Sequence, residues 1–178
     1  MKRVLIPLAE GFEEIEASST IDVLRRAGLD AVTAGIPATM VKGAHDIIFM
    51  ADKRFEEINL DKFDALVLLG GNPGYINLGK TQSVAAAIKK FNSENKVIAA
   101  ICAAPSLLAK AGILDNKKAT IYPGMEREIP RPRDGNVIVD GNIITSKGPG
   151  TAIEFALKLV EILSGKEKAE QTKRGLVC

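Results

Sequence analysis

Cys102 has the strongest potential for covalent chemistry in this sequence. It follows the apolar run Val97–Ile101 and precedes Ala103–Ala111, a segment of helix-favouring composition. Alanine two residues to either side leaves room for a sharp strand-to-helix turn of the nucleophile-elbow type. A helix N-terminus beside the sulfur would lower the thiol pKa, to roughly 3.5–7.5. The alternative is a buried structural cysteine, because free cysteine is among the most buried residue types.

Two glycines could supply hydrogen-bond donors to such a nucleophile. Gly70 and Gly71 follow the apolar segment Ala65–Leu69, which has the composition of a buried strand. Glycine lets backbone N–H groups approach a ligand closely, as an oxyanion site requires. The alternative is an ordinary tight turn, and the spacing lacks the lysine of a phosphate-binding loop.

An acidic cluster follows the first apolar run of the chain and comprises Glu10, Glu13, Glu14 and Glu16. Acidic residues are favourable in the first turn of a helix, and this explanation suffices for the first three. Glu16 lies where the helix would turn towards the interior. A carboxyl group beside a thiolate has a raised pKa and could donate a proton.

His45 is the only histidine, so any Cys–His dyad must use it. Its Gly-Ala-His-Asp context is typical of a turn or surface position. One histidine and two distant cysteines argue against a zinc site, and we expect no metal.

The elements that must position these residues alternate along the chain. Short apolar runs predict strands, with a helix over Glu14–Ala27 between the first two and a helix over Ser83–Phe91 further on. This alternation predicts a mainly parallel sheet covered by helices on both faces. Ligands bind at the carboxyl ends of such strands, which draws attention to the loops at Ala9, Gly70 and Cys102.

The C-terminal third adds an antiparallel hairpin. Val137–Val139 and Ile143–Thr145 flank Asp140-Gly141, a dipeptide suited to a type I′ turn. The preceding segment, Met125–Asp134, contains two prolines and is predicted to be an exposed loop. Thr151 and Glu154 are predicted to form a capping box at the start of a helix that ends near Leu163.

Composition limits the class of protein. A chain of 178 residues that is 46% hydrophobic is expected to form one domain, residues 1–178. Its net charge of +2 gives no electrostatic footprint for nucleic acid. No apolar run approaches the roughly 20 residues of a membrane span, and the N-terminus does not have the pattern of a secretory signal. We therefore expect a cytoplasmic protein whose cysteines, Cys102 and Cys178, are free thiols.

The chain resembles the ThiJ/PfpI superfamily, in the branch of the Parkinson-disease-associated protein, over essentially its whole length. Five motifs in order carry the resemblance: Gly11–Glu16, Asp22–Gly28, Gly70–Asn72, Ala99–Ala103 and Ser146–Thr151. The resemblance implies a flavodoxin-like three-layer sandwich and a homodimer. It also implies Cys102 as an oxidisable nucleophile, Glu16 as its protonated partner, and Gly71 and Ala103 as backbone donors of the oxyanion site.

This chain departs from the family pattern at one position. The family commonly has a histidine before a proline where this chain has Tyr122, a poor base near neutral pH because its ordinary pKa is about 10. His45 matches a position where a related protein has arginine, so it is a candidate for contacting the site or a bound anion. Arg26 and Pro149 are also predicted to line the site.

Family activities supply the functional hypotheses. The leading one is a cofactor-independent enzyme that acts on small reactive carbonyls or glycated substrates, as in the glyoxalase conversion of methylglyoxal to lactate or in deglycation. The alternative is a redox-sensing chaperone of oxidative stress whose Cys102 becomes oxidised. An intracellular cysteine peptidase is the least favoured hypothesis, because the sequence gives little support for a Cys–His dyad.

Overall fold

The computed structural model describes all 178 residues and contains nine strands and six α-helices. The strands are β1 (Arg3–Ala9), β2 (Asp30–Ile36), β3 (Met40–Lys42), β4 (Ile48–Met50), β5 (Lys53–Arg54), β6 (Ala65–Leu68), β7 (Val97–Ile101), β8 (Val137–Asp140) and β9 (Ile143–Ser146). The helices are α1 (Glu14–Arg26), α2 (Gly74–Lys80), α3 (Gln82–Ser93), α4 (Pro105–Lys110), α5 (Ala152–Ser164) and α6 (Lys166–Leu176).

Seven strands form a central sheet in the order β5-β2-β1-β6-β7-β9-β8. All neighbours are parallel except β8, which pairs antiparallel with β9 at one edge. The remaining two strands, β3 and β4, form a separate antiparallel pair. Because β1, β6 and β7 are adjacent and parallel, the loops that follow them meet at one edge of the sheet.

The inner strands are almost entirely buried because helices cover both faces of the sheet. Alternate side chains pack into two hydrophobic clusters, one containing Leu24 and Phe155 from α1 and α5, the other containing Phe91 and Leu107 from α3 and α4. The predicted three-layer α/β fold is confirmed. None of the helices is long and apolar enough to cross a lipid bilayer.

The predicted edge hairpin is confirmed, but its turn differs from type I′. Asp140 pairs with Ile143, so Gly141 and Asn142 are the central residues. Only Gly141 has a positive φ, of 64°, whereas a type I′ turn requires positive φ at both central residues.

The segment from Met125 to Asp134 is an exposed loop, as predicted, apart from the partly buried Met125 and the buried Ile129. Within it, the Arg133 N–H donates to the Ala119 carbonyl at 2.7 Å. One local prediction in the C-terminal third is wrong. The capping box at α5 does not form. The Thr151 hydroxyl instead bonds to Ser146 and to Gly148.

Candidate active site

Cys102 occupies a sharp turn between β7 and the short helix α4, as predicted. Its φ of 62° is in the left-handed region, which is uncommon for a residue other than glycine. The Cys102 N–H donates to the Ser146 carbonyl at 3.0 Å, and the Cys102 carbonyl accepts from the Tyr122 N–H at 2.9 Å. Two neighbouring segments therefore fix the backbone in this conformation and hold the side chain at the carboxyl edge of the sheet.

Gly70 packs directly against the cysteine. A Cβ atom at this position would lie 2.5 Å from Cys102 Cβ, 2.9 Å from its Sγ and 3.1 Å from Glu16 Oε2. The thiol and the carboxyl therefore converge on the space that glycine leaves open. Any larger residue at this position would displace one of them.

Glu16 lies on the buried face of α1 and is fully inaccessible to solvent. Its Oε2 atom accepts a hydrogen bond from the Gly70 N–H at 2.7 Å. Burial raises the pKa of this carboxyl to about 7, although hydrogen bonds from Gly70 and with Cys102 act in the opposite direction. The predicted increase in its pKa is therefore present in the structure, with burial as its main cause.

The backbone N–H groups of Gly71 and Ala103 lie beside the Cys102 sulfur, where they act to lower the thiol pKa. Neither N–H donates to a backbone carbonyl, so both are available to the sulfur or to a ligand oxygen beside it. The structure thus brings together all four residues predicted for the reacting centre.

The expected lowering of the thiol pKa is wrong. Burial, and then the charge of Glu16, raise the pKa of Cys102 to about 12, against the opposing effect of the two N–H donors. The helix that was expected to lower it begins only at Pro105 and is six residues long. A short helix that starts three residues away does not offset burial beside a carboxylate.

The pKa of the Glu16 carboxyl is therefore well below that of the Cys102 thiol, so the carboxyl ionises first and the pair keeps one proton at pH values just above 7. In this range the ionised carboxyl can accept the thiol proton, and the two N–H donors stabilise the thiolate that results. A base with a pKa near the working pH is well suited to proton transfer. The arrangement can activate a thiol without a histidine.

Glycines allow the loops around the Cys102–Glu16 pair to contact each other closely. Gly74 N–H donates to the Gly11 carbonyl and Glu13 N–H donates to the Gly70 carbonyl, both at 3.1 Å. A Cβ atom on Gly71 would lie only 2.3 Å from the Gly11 oxygen. The loops after β1 and β6 therefore contact each other backbone to backbone.

A cavity of about 460 Å³ opens above Cys102. Of the residues predicted to line it, Tyr122, His45 and Pro149 do so. Arg26 does not. It lies ten residues beyond Glu16 on α1, about 15 Å along the helix axis, and pairs there with Asp22 at 2.5 Å.

Other residues of the cavity were not predicted as such from the sequence. Asn72, Tyr75 and Met125 contribute to its wall, and Tyr75 comes from α2, a helix that was not predicted. Asn72 belongs to the Gly70–Asn72 motif, which could have indicated it. No pattern in the sequence marks Tyr75 or Met125, because their segments reach the site only through the tertiary fold.

Glu13 and Glu14 do more than add negative charge at a helix start. Both are buried. Glu14 accepts hydrogen bonds from the His45 N–H at 2.6 Å and from its ring Nδ1 at 2.9 Å, and these contacts raise the pKa of His45. Glu13 caps α1 by accepting from the Ile15 N–H at 3.3 Å, and it also lines the cavity. The mouth of the cavity is therefore an acidic rim that holds one histidine.

Comparison with known proteins gives consistent matches over the whole chain. Residues 2–162 match the model of the DJ-1/PfpI family. Protein dj-1beta of Drosophila melanogaster is 42% identical, with 99% of this chain and 97% of that protein covered. A protein of Pyrococcus abyssi that is named as a deglycase is 34% identical, with 90% of this chain and 99% of that protein covered. The structure of oxidised DJ-1 from Toxoplasma gondii superimposes with a TM-score of 0.97 at 38% identity, covering 99% and 98% of the two chains.

Proposed function

Because the chain belongs to the DJ-1/PfpI family, we propose that it is a cysteine-dependent enzyme that acts on reactive carbonyls. Cys102 is the nucleophile and Glu16 is its acid–base partner. One observation carries the proposal: a partly buried thiol and a buried carboxyl with a pKa of about 7 share one opening, and two backbone N–H groups lie beside the sulfur. A merely structural cysteine needs neither the carboxyl nor the free donors.

The reaction begins when Glu16 takes the thiol proton and Cys102 sulfur attacks the aldehyde carbon of a 2-oxoaldehyde. The carbonyl oxygen becomes an oxyanion that the Gly71 and Ala103 N–H groups stabilise, and Glu16 returns the proton to form a hemithioacetal. Transfer of the C1 proton to the adjacent carbon then gives a thioester. Water hydrolyses the thioester to a 2-hydroxy acid and the free thiol, so that methylglyoxal and water give lactate.

Deglycation uses the same first step on a different substrate. An adduct of a 2-oxoaldehyde with an amine presents a carbon at the same oxidation level, and the amine leaves when sulfur takes its place. The relative from P. abyssi that is named as a deglycase supports this substrate class. No step requires an added cofactor.

Lactate formation from methylglyoxal tests the proposal. Wild type should form lactate, Cys102→Ala should form none above the uncatalysed rate, and Cys178→Ala should match wild type because Cys178 is exposed at the chain terminus. Equal rates for wild type and Cys102→Ala would eliminate the proposed reaction.

A redox sensor with chaperone activity is the second candidate. It is favoured by the close likeness to a DJ-1 structure described as oxidised. Peroxide would convert the Cys102 thiolate to sulfinate, whose oxygens the Gly71 and Ala103 N–H groups can bind. Mass spectrometry after mild peroxide treatment should find two added oxygens on Cys102. Oxidation of Cys178 alone would exclude this candidate.

A peptidase has less support, because no hydrogen bond joins Cys102 to His45. The His45 ring bonds to Glu14 instead, at 2.9 Å. The dyad that peptide hydrolysis would use is therefore not assembled.

We also propose a cytoplasmic homodimer. Both cysteines are free, which suits a reducing compartment. The β3–β4 pair exposes three large apolar side chains, Met40, Ile48 and Met50, each more than half accessible. Met50→Lys should shift the mass measured by light scattering from dimer to monomer, whereas Ile162→Lys, on α5, should not. A monomeric wild type would refute the dimer.

A further inference from the structure

Acidic side chains outnumber basic ones around the Cys102 cavity. Its lining includes the Glu13 carboxylate and the His45 ring, but no lysine or arginine. Glu14 lies directly behind His45 and is its hydrogen-bond partner. Glu13 Oε2 is 3.6 Å from His45 Nδ1, and its other oxygen caps α1. One imidazole therefore faces two carboxylates at the mouth, and Glu16 adds a third acidic group at the base.

Three cations lie two residues along the chain from a residue that lines the cavity, but none of them lines the cavity itself. Lys42, at the end of β3, bonds to Asp46. Lys147, two residues before Pro149, bonds to Asp134 at 2.5 Å. The third, Arg127, two residues after Met125, is exposed and forms no ion pair, but it too lies outside the cavity lining.

We infer that this cavity selects carbonyl substrates that are neutral or positively charged outside the reacting group and rejects anionic ones, with Glu13 as the residue that determines this specificity. The inference rests on the proposed function, because it takes Cys102 as the reacting group. Two-oxo acids and phosphorylated carbonyls are disfavoured. Adducts of amines and guanidines are favoured.

The size of the cavity agrees with this class. A volume of about 460 Å³ lies in the roughly 300–1,000 Å³ range of sites that hold drug-sized ligands. It accommodates a carbonyl that carries a side-chain-sized amine or guanidine as well as a three-carbon dicarbonyl. The positive group of such an adduct would lie at the mouth beside Glu13, while its carbonyl carbon contacts Cys102.

Methanethiosulfonate reagents of opposite charge measure this selectivity at Cys102 without any enzyme turnover. In each, the thiolate attacks the sulfenyl sulfur, a disulfide forms and methanesulfinate leaves. We compare the reaction rates of the trimethylammonioethyl and sulfonatoethyl reagents as a ratio. The fraction of Cys102 present as thiolate affects both rates equally, so the ratio does not depend on it. Cys178→Ser removes the second thiol, and 2-mercaptoethanol supplies the reference ratio for an uncharged environment.

The ratio at Cys102 should exceed the reference by about 3- to 10-fold, as expected for one unit charge acting over several ångströms in a partly solvated site. Glu13→Gln, which keeps an oxygen to cap α1, should reduce the ratio to within about twofold of the reference. Glu10→Gln, an exposed acid outside the cavity, should leave it unchanged. Raising the salt concentration to 1 M should abolish the excess of the wild-type rate ratio over the reference. This test uses wild type alone and does not depend on the folding of a variant.

A wild-type ratio equal to the reference, or an unchanged ratio in folded Glu13→Gln, would overturn the inference. The test is independent of the proposed reaction. If no lactate forms but the rate ratio at Cys102 still exceeds the reference, the proposed reaction is refuted and the charge selection is supported. If lactate forms but the rate ratio equals the reference, the charge selection is refuted and the reaction is supported.

Discussion

Replacing Glu16 with glutamine should alter the pH dependence of Cys102 alkylation by iodoacetamide in a specific way. In wild type the thiolate fraction should rise tenfold per pH unit up to about pH 7, where the pair loses its first proton. Just above that pH the rise should level off, because the charge of ionised Glu16 opposes ionisation of the thiol, and it should resume at higher pH, where the pair begins to lose its second proton.

The glutamine variant has no competing carboxyl. Its thiolate fraction should keep rising above pH 7, until the thiol reaches its own pKa, which burial keeps above the ordinary value of 9.0. Two pH units above the start of the wild-type plateau correspond to a factor of about 100 in the thiolate fraction of the variant. At pH 9 the variant should therefore react up to about 100-fold faster than wild type, even though it lacks the acid–base group.

Mass spectrometry of the Cys102 peptide, over pH 5 to 10, measures these rates, and Cys178 in the same samples serves as the internal reference. Glutamine keeps a carbonyl oxygen for the Gly70 N–H, so the comparison changes charge more than packing. A wild-type rate that rises tenfold per unit from pH 7 to 9 would refute the coupling. A plateau in the wild-type rate that starts near pH 5 would also refute the reasoning, because it would mean that the pKa of the Cys102 thiol is lowered.

Two further predictions follow from the same centre. The free energy of unfolding of wild type, relative to Glu16→Gln, should fall as pH rises from 4.5 to about 7, since folded Glu16 keeps a proton that the unfolded chain releases. Urea denaturation at both ends of this range should show a difference of about 3 kcal/mol, and a flat difference would contradict it. Gly70→Ala should abolish Cys102 reactivity or the fold, since its Cβ would lie 2.5 Å from Cys102 Cβ, whereas Gly150→Ala, with no atom within 4 Å, should retain both. Normal alkylation kinetics in Gly70→Ala would show that the close approach is not required.

The sheet could be predicted because its signals are local. Runs such as Val97–Ile101 are apolar throughout, as buried parallel strands require, and glycines mark where they end. The position of Cys102 at a turn followed from the same pattern. Family resemblance then supplied its pairing with Glu16, which no spacing between residues so far apart in sequence could show.

The remaining features depend on long-range contacts. The burial of Glu14 and its bond to His45 join residues that are 31 positions apart, so charge patterning alone suggested an ordinary helix start. The thiol pKa was expected to fall because a helix follows Cys102, but burial depends on Glu16 and Gly70, which come from other elements. Arg26 was misplaced because a motif shared with a family does not tell which end of α1 faces the site.

The interlocked glycine loops have a consequence for motion. The Glu13 and Gly74 amides are bonded across loops, so they should exchange with deuterium only when the ends of β1 and β6 separate, and not through fraying of a single loop. The Gly71 donor is thereby oriented before any ligand arrives, and the Ala103 donor is held by the bonds of Cys102 to Ser146 and Tyr122. Formation of an oxyanion there would need little reorganisation of the protein, and a bound substrate would lose its own freedom without requiring a loop to become ordered around it.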